Sequence, residues 1–408
     1  MYDFTRIPVE IWHQIIFTTF DAPYVLDTVI DRTEGCYWHQ QDRYHDEKAY
    51  MESERQRGVL RRVCRSWKLF VDKHRCRWVT FDSSADSEDA KQIEAKVAIE
   101  YAGQPKSSES QPITPKRLIF PVATSDDLTL LNTVLCGISQ KLTTLGVECS
   151  NDYRDEVFTT LIINQDSLPS LRCLMLTQPK THSTPLQSIS NAFPKLTGLT
   201  VCGNEIITPF PEDSIILPDL QSLYFDVPSM SGMRPEGWEL PRILRLVVPI
   251  DVGDTDEVGI SLVRLYGSQL VFLDLICWST GKLPAEFWTW CPVLTELQTC
   301  LTRIDLGGPL PVNHPLKYVI HLPDPSFLQA EAHEDSFLWR NLQFLPTHLE
   351  CMIFASSRGW QGYLERLEVQ CERNQINAYF ERISEITKEI TVEDEQKTTL
   401  GAFLQTLY

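Results

Sequence analysis

The feature that most restricts this chain's fold is a phrase that returns: proline, one spacer, then Leu-x-x-Leu-x-Leu. It occurs as LPSLRCLML from Leu168, FPKLTGLTV from Phe193, LPDLQSLYF from Leu217, LPRILRLVV from Leu240 and CPVLTELQT from Cys291. Looser copies are QLVFLDL from Gln269, PLKYVIH from Pro315 and HLECMIF from His348. The middle apolar residues are Leu174, Leu199, Leu223, Leu246, Leu273, Leu297, Val319 and Met352, 22–27 residues apart with a last step of 33. Earlier copies are expected at Leu118 and Leu145, with Val79–Phe81 starting the series. Self-similarity at this period predicts stacked repeats.

Within each copy the last two apolar residues alternate as a short strand requires, so both lie on one face. One strand cannot bury that face alone. Stacking successive copies gives a parallel sheet, with the intervening chain covering the core. Segments 126–141 and 256–268 are predicted helices, and Ser87 with Glu88 and Asp89 starts another over 88–102. Residues 104–115 form a polar Pro/Ser linker or exposed loop.

At 408 residues the chain exceeds one ordinary compact core, which fits two domains or a solenoid. Its apolar and charged fractions, 43% and 23%, are those of a folded protein. The twelve cysteines are scattered without a Cys-x-x-Cys pair and are expected to be reduced. No apolar run is long enough for a membrane span and the opening residues do not resemble a secretory signal, so an intracellular, cytoplasmic or nuclear place is expected. The net charge of −18 is uneven: residues 1–80 carry +1 and the remainder −19. That acidity argues against nucleic-acid binding and fits either basic partners or solubility alone.

Two amphipathic stripes precede the repeats. In DFTRIPVEIWHQIIF, Ile7, Ile11 and Ile15 recur every four residues after Pro8. In GVLRRVCRSWKLFV, Leu60, Val63, Trp67, Phe70 and Val71 oppose Arg61, Arg62, Arg65 and Lys68. Such short helices need each other or a partner; an ordinary helical cap on the repeats would explain them as well.

Ile-Pro-x-Glu-Ile-Trp followed by Val-Cys-Arg-x-Trp resembles the F-box, a helical module that docks on a Skp-type adaptor, and the chain is similar to fungal F-box-like proteins. The repeats resemble leucine-rich repeats, whose strands line the inside of a curved horseshoe. Asn204 occupies that family's Asn/Cys turn position, but Pro179, Pro228 and Trp278 stand there in other copies, so the repeats are expected to be irregular. The resemblance implies an α/β chain: an F-box-like helical module over 1–80 with an insertion at 21–57, an irregular leucine-rich-repeat solenoid with a curved parallel sheet over 81–355, and a helical C-terminal cap over 356–408. It further implies that Ile7, Pro8, Ile11, Ile15, Leu60, Val63, Cys64 and Trp67 pack within the module or against the adaptor. The function implied is that of a substrate-recognition subunit of an SCF-type ubiquitin ligase, linked through the adaptor to a cullin. The alternative is an interaction scaffold outside any ligase.

Period-two geometry makes Met175, Thr200, Tyr224, Val247, Asp274 and Gln298 equivalent positions on the side of the strands away from the core. They are the candidate contacts for a protein substrate, or an unused inner surface. The chain has no phosphate loop, nucleophile elbow, His-Glu-x-x-His or calcium-type acid ladder. It is expected to be non-catalytic, with no cofactor and no metal.

Overall fold

The computed structural model describes residues 11–14, 16, 52–73, 76–80, 114–138, 142–149, 153–178, 186–203, 214–226, 234–250, 258–277, 280–301, 303–321, 341, 344, 351–356 and 378–382. Ile7, Pro8, the helix expected at 88–102, most of the 104–115 linker and residues 21–51 of the insertion lie outside them. The protein is a mixed α/β chain that divides into two compact units, Met1–Lys180 with Ser188–Cys202, and Thr181–Gln187 with Gly203–Tyr408.

The first unit contains helical residues 11–14 and 16, helix α1 (52–63) and helix α2 (Arg65–Lys73). Residues 52–57, expected in the insertion, therefore belong to a helix. Strands β1 (Cys76–Thr80), β2 (Thr114–Val122), β3 (Thr144–Cys149), β4 (Cys173–Gln178) and β5 (Gly198–Gly203) follow in sheet order as in sequence order. The first four pair in parallel. Register shifts between Arg77 and Trp78, beside the partner Pro115, where the missing N–H interrupts a regular ladder.

Helix α3 (Ser125–Ile138) leaves β2 through a reciprocal cap. Thr124 Oγ1 accepts the Asp127 N–H at 3.2 Å, and Asp127 Oδ2 accepts the Thr124 N–H at 2.8 Å. Leu131, Val134 and Leu135 of α3 and Val157, Phe158 and Leu161 of α4 (Arg154–Ile163) are buried beneath the sheet's leucines. Asn164 links the helices, donating to Asn132 Oδ1 at 2.8 Å and accepting the Cys136 thiol at 3.1 Å.

The second unit continues the pattern with β6 (Ser222–Asp226), β7 (Arg245–Ile250), β8 (Phe272–Cys277), β10 (Glu296–Thr299), β12 (Tyr318–His321), β13 (Cys351–Ser356) and β14 (Ala378–Arg382). Neighbours pair in parallel in that order. A short parallel pair, β9 (Gly281–Lys282) with β11 (Ile304–Asp305), forms a separate sheet. Helix α6 (Val258–Tyr266) packs on β7; a short helix α5 (Leu186–Ala192) and a single turn α7 (Phe287–Trp290) complete the helices named here.

The repeat word explains both register and turns. Val79, Leu118, Leu145 and Leu174 are successive partners in the first unit, and Leu223, Leu246, Leu273, Leu297, Val319 and Met352 in the second. Before the strands, N–H to C=O bonds close three-residue steps from Leu171 to Leu168, Leu196 to Phe193, Leu220 to Leu217, Ile243 to Leu240 and Leu294 to Cys291. Each of these steps holds its proline one residue after the accepting carbonyl, where a β-turn wants its fixed φ and does not need its N–H.

One expectation changes. The tail over 356–408, expected as a helical cap, contains strand β14, so pairing extends past residue 355. The adjacent aromatics Tyr379 and Phe380 suit a strand, and the edge of β13 supplies the hydrogen bonds that decide it. The described helices at Ser125–Ile138 and Val258–Tyr266 lie within three residues of their expected bounds.

Candidate functional site

Two surfaces carry the residues singled out by sequence. In the helical segment, Ile16, Leu60 and Val71 are buried together, with Trp67 and Phe70 packed against them. Trp67 tilts against Trp12 with ring centroids 5.8 Å apart, and Phe70 stacks on His13 at 4.0 Å. The inward face of the first helical stretch is thus Trp12, His13 and Ile16. Ile11, expected to pack within the module or against an adaptor, is 46% exposed. Val63 also leaves its expected stripe and is 54% exposed.

The cause is local. Helix α1 ends at 63, Cys64 is non-helical, and α2 restarts with Lys68 N–H donating to Cys64 O at 3.0 Å. A continuous helix would keep Leu60, Val63 and Trp67 on one stripe; the break at Cys64 reorients α2, so Trp67 packs inward with Leu60 while Val63, in the last turn of α1, is left outside. Cys64 itself is exposed, and a hydrogen bond from the Ser66 hydroxyl, followed by one from the Trp67 amide, holds its thiol below the usual range. Leu60, Val63, Cys64 and Trp67 are therefore close in the chain but divided between inward and outward faces. The side chain of Ile15, like Ile7 and Pro8, lies outside the described residues.

The second surface is the strand face opposite the buried leucines. Met175 aligns with Gly146, and Tyr224, Val247, Asp274 and Gln298 are successive partners, as period-two geometry requires. Met175, Thr200 and Tyr224 are half-exposed. Val247, Asp274 and Gln298, expected to face solvent, are buried. Strands β7, β8 and β10 are closed on both faces, which their nearly unbroken apolar runs RLVVPI and FLDLIC could have signalled.

The buried polar groups on this face are tied together. Gln298 Nε2 donates to Asp274 Oδ2 at 2.8 Å. Two residues earlier on the same strands, Phe272 pairs with both Arg245 and Glu296, and the Arg245 guanidinium lies 4.5 Å from the centre of the Phe272 ring. Asp274 is 2% exposed, Glu296 4% and Gln298 0%. Arg245, Tyr224 and Tyr318 are half-exposed around them. Arg245, Phe272 and Glu296 lie two residues before Val247, Asp274 and Gln298 on the same strands, which places them on the same face.

The sequence matches no protein-family model and no curated protein. Among the described residues no helix is long and apolar enough to cross a membrane, and no group of three or more His, Cys, Asp or Glu side chains could hold a metal ion.

The arrangement suits recognition through apolar helix residues and through strand side chains. Asn341, unmarked by any motif, is fully buried and joins the segment around β11. It donates to Leu301 O at 3.0 Å and to Ile304 O, and accepts the Leu306 N–H at 2.9 Å. His314 is likewise buried: its Nδ1 accepts the Leu316 N–H at 3.2 Å, leaving Nε2 to donate to Cys291 O at 2.8 Å. Both fasten turns between strands.

Proposed function

We propose that this chain is the substrate-recognition subunit of an SCF-type ubiquitin ligase, with its F-box-like helices docking on a Skp-type adaptor and its leucine-rich-repeat strands receiving a protein target. The observation that carries the reading is the outward placement of Ile11 and Val63 on helices whose other face is already packed through Ile16, Leu60, Trp67 and Val71. Apolar side chains left outside a completed helical core are available to a partner. The aligned strand series that follows supports a recognition half. Mechanistically the chain contributes proximity: it raises the effective concentration of a target lysine near a ubiquitin-loaded enzyme that other subunits bring.

The test is adaptor capture by the full chain carrying Ile11→Asp and Val63→Asp. Both sites are exposed, so circular dichroism should be unchanged. Burying two such residues at an interface is worth about 2–4 kcal/mol, and their loss should weaken capture by about 30- to 1,000-fold. Undiminished capture by the folded double variant refutes the docking surface. Adaptor recovered from cells without cullin assigns the chain instead to an interaction scaffold outside a ligase.

A further inference from the structure

Resting on the reading of the helical segment as a docking module, we propose that the partner surface received there, on that reading the adaptor's, is acidic, with carboxylates set around apolar sockets. Val59, Val63 and Leu69 fill the sockets, while Arg62, Arg65 and Lys68 meet the carboxylates. Of these six only Val63 belongs to the residues that the F-box resemblance assigns. Residues 55–71 hold six Lys or Arg and no Asp or Glu, in a chain whose net charge is −18. Helical spacing decides where they point. On α1, Val59 and Val63 lie one turn apart with Arg62 beside them, away from the buried Leu60. On α2, Arg65 and Leu69 lie one turn apart with Lys68 beside them, away from Trp67 and Val71. Val59, Val63 and Leu69 are each more than half exposed, and Arg62, Arg65 and Lys68 are exposed as well.

The charges say what covers this face. The first half of α1 answers its own cations, Arg55 with Glu52 at 2.9 Å and Arg57 with Glu54 at 3.2 Å. The side chains of Arg62, Arg65 and Lys68 are not answered in this way: among the described residues no carboxylate pairs with any of the three. Like charges so close repel one another until a partner's carboxylates stand among them. The apolar side chains between them need a surface that can bury them. A nucleic acid or an anionic membrane fits poorly, because each presents a broad field of negative charge to a chain that is itself net −18, against which three cations are few. A local acidic patch on a protein makes the same contacts without that repulsion.

The experiment uses the full chain, immobilised, with a purified Skp-type adaptor and a helical peptide as probes. The peptide carries leucines one turn apart, with alanine and glutamate at its remaining positions. Adaptor association with wild type should slow by about 10- to 100-fold as salt rises from about 0.05 to 0.5 M. Arg62→Glu/Arg65→Glu/Lys68→Glu should slow it by a similar factor at low salt and abolish binding of the peptide, with circular dichroism unchanged. Arg62→Lys/Arg65→Lys keeps the charge and should retain both. Val59→Ala/Leu69→Ala leaves the charges and should instead speed dissociation by about 10- to 100-fold. The salt dependence of wild type needs no variant, so it decides the matter even if the charge reversal does not fold. Adaptor association that ignores salt, or that survives the folded reversal, overturns the acidic partner and leaves the ligase reading intact. Binding of wild type to vesicles of equal parts phosphatidylserine and phosphatidylcholine in preference to the peptide overturns it in favour of a membrane. Failure of adaptor capture, with peptide binding present in wild type and lost on reversal, overturns the ligase reading alone. Failure of both probes overturns both.

Discussion

Asn341→Ala should open the segment around β11 without unfolding the chain. The side chain closes three backbone groups, the Leu301 and Ile304 carbonyls and the Leu306 N–H, inside a fully buried site. Each buried group left unsatisfied costs about 1–3 kcal/mol, although relaxation keeps the sum below three full penalties. A loss of about 3–5 kcal/mol follows. A melting temperature is a poor assay because two units need not unfold as one transition. Amide hydrogen exchange at Leu306 is the direct measurement. If its exchange requires opening of this segment, protection should fall by roughly 10²- to 10³-fold or more, while Leu118 in the first unit keeps its own rate. Asn341→Asp should rescue little: it retains an acceptor for Leu306 but loses both donors and sets a carboxylate against two carbonyls. Unchanged Leu306 protection in Asn341→Ala would refute the assignment of these three bonds as the clasp.

Glycine substitutions should split in sign. Gly259→Ala places a methyl on the Pro249 carbonyl oxygen and 3.1 Å from Ile250 Cγ2, so it should cost about 1–3 kcal/mol by denaturant melts, whereas Gly58→Ala, with nothing within 4 Å, should gain about 0.5–1 kcal/mol from helix propensity. Thiol reactivity should separate just as clearly, because Cys64 is exposed with its pKa lowered by Ser66, while burial pushes the Cys291 thiol up to about 12. Iodoacetamide near pH 8, followed by peptide mass spectrometry, should label Cys64 at least about 100-fold faster than Cys291. The unfolded chain loses the Cys291 proton near its ordinary 9.0 and the folded chain does not, so this group's contribution is full below pH 9 and falls as pH rises towards 12; Cys291→Ala should flatten that alkaline decline.

The parts legible in the sequence were those fixed by local rules. Alternation within Leu-x-x-Leu-x-Leu set the strand face, and near-constant spacing set the register, so Leu223 through Met352 pair in succession. The proline in each copy marked a tight turn. What escaped depended on distance in sequence or on a single backbone break. Asn341 reaches Leu301 across forty residues, and no repeat position predicts it. Val63 sits at helical spacing from Leu60 and Trp67, yet it is exposed at the end of α1, where the helix breaks at Cys64, while both of those pack inward. In β14 the charged flanks suggested helix, but an unpaired neighbouring edge offered a ladder, and tertiary pairing overrode composition.

The departure from repeat logic at Asp274, Glu296 and Gln298 carries more information than the agreement around it. In a stacked parallel sheet the leucine face must be apolar in every copy, while the other face is free to be polar wherever water reaches it. If both faces are closed, the cheapest sequence is apolar throughout, and Val247 and Ile320 follow that rule on the same row. Two acids and an amide between them do not. Their burial costs several kcal/mol unless donors answer them. Replacing them with valine or isoleucine would fit the strands equally well by shape and pattern. Gln298 Nε2 supplies one such donor to Asp274 Oδ2, so hydrogen bonding, and not shape or apolar pattern, sets these three positions apart from the rest of the sheet.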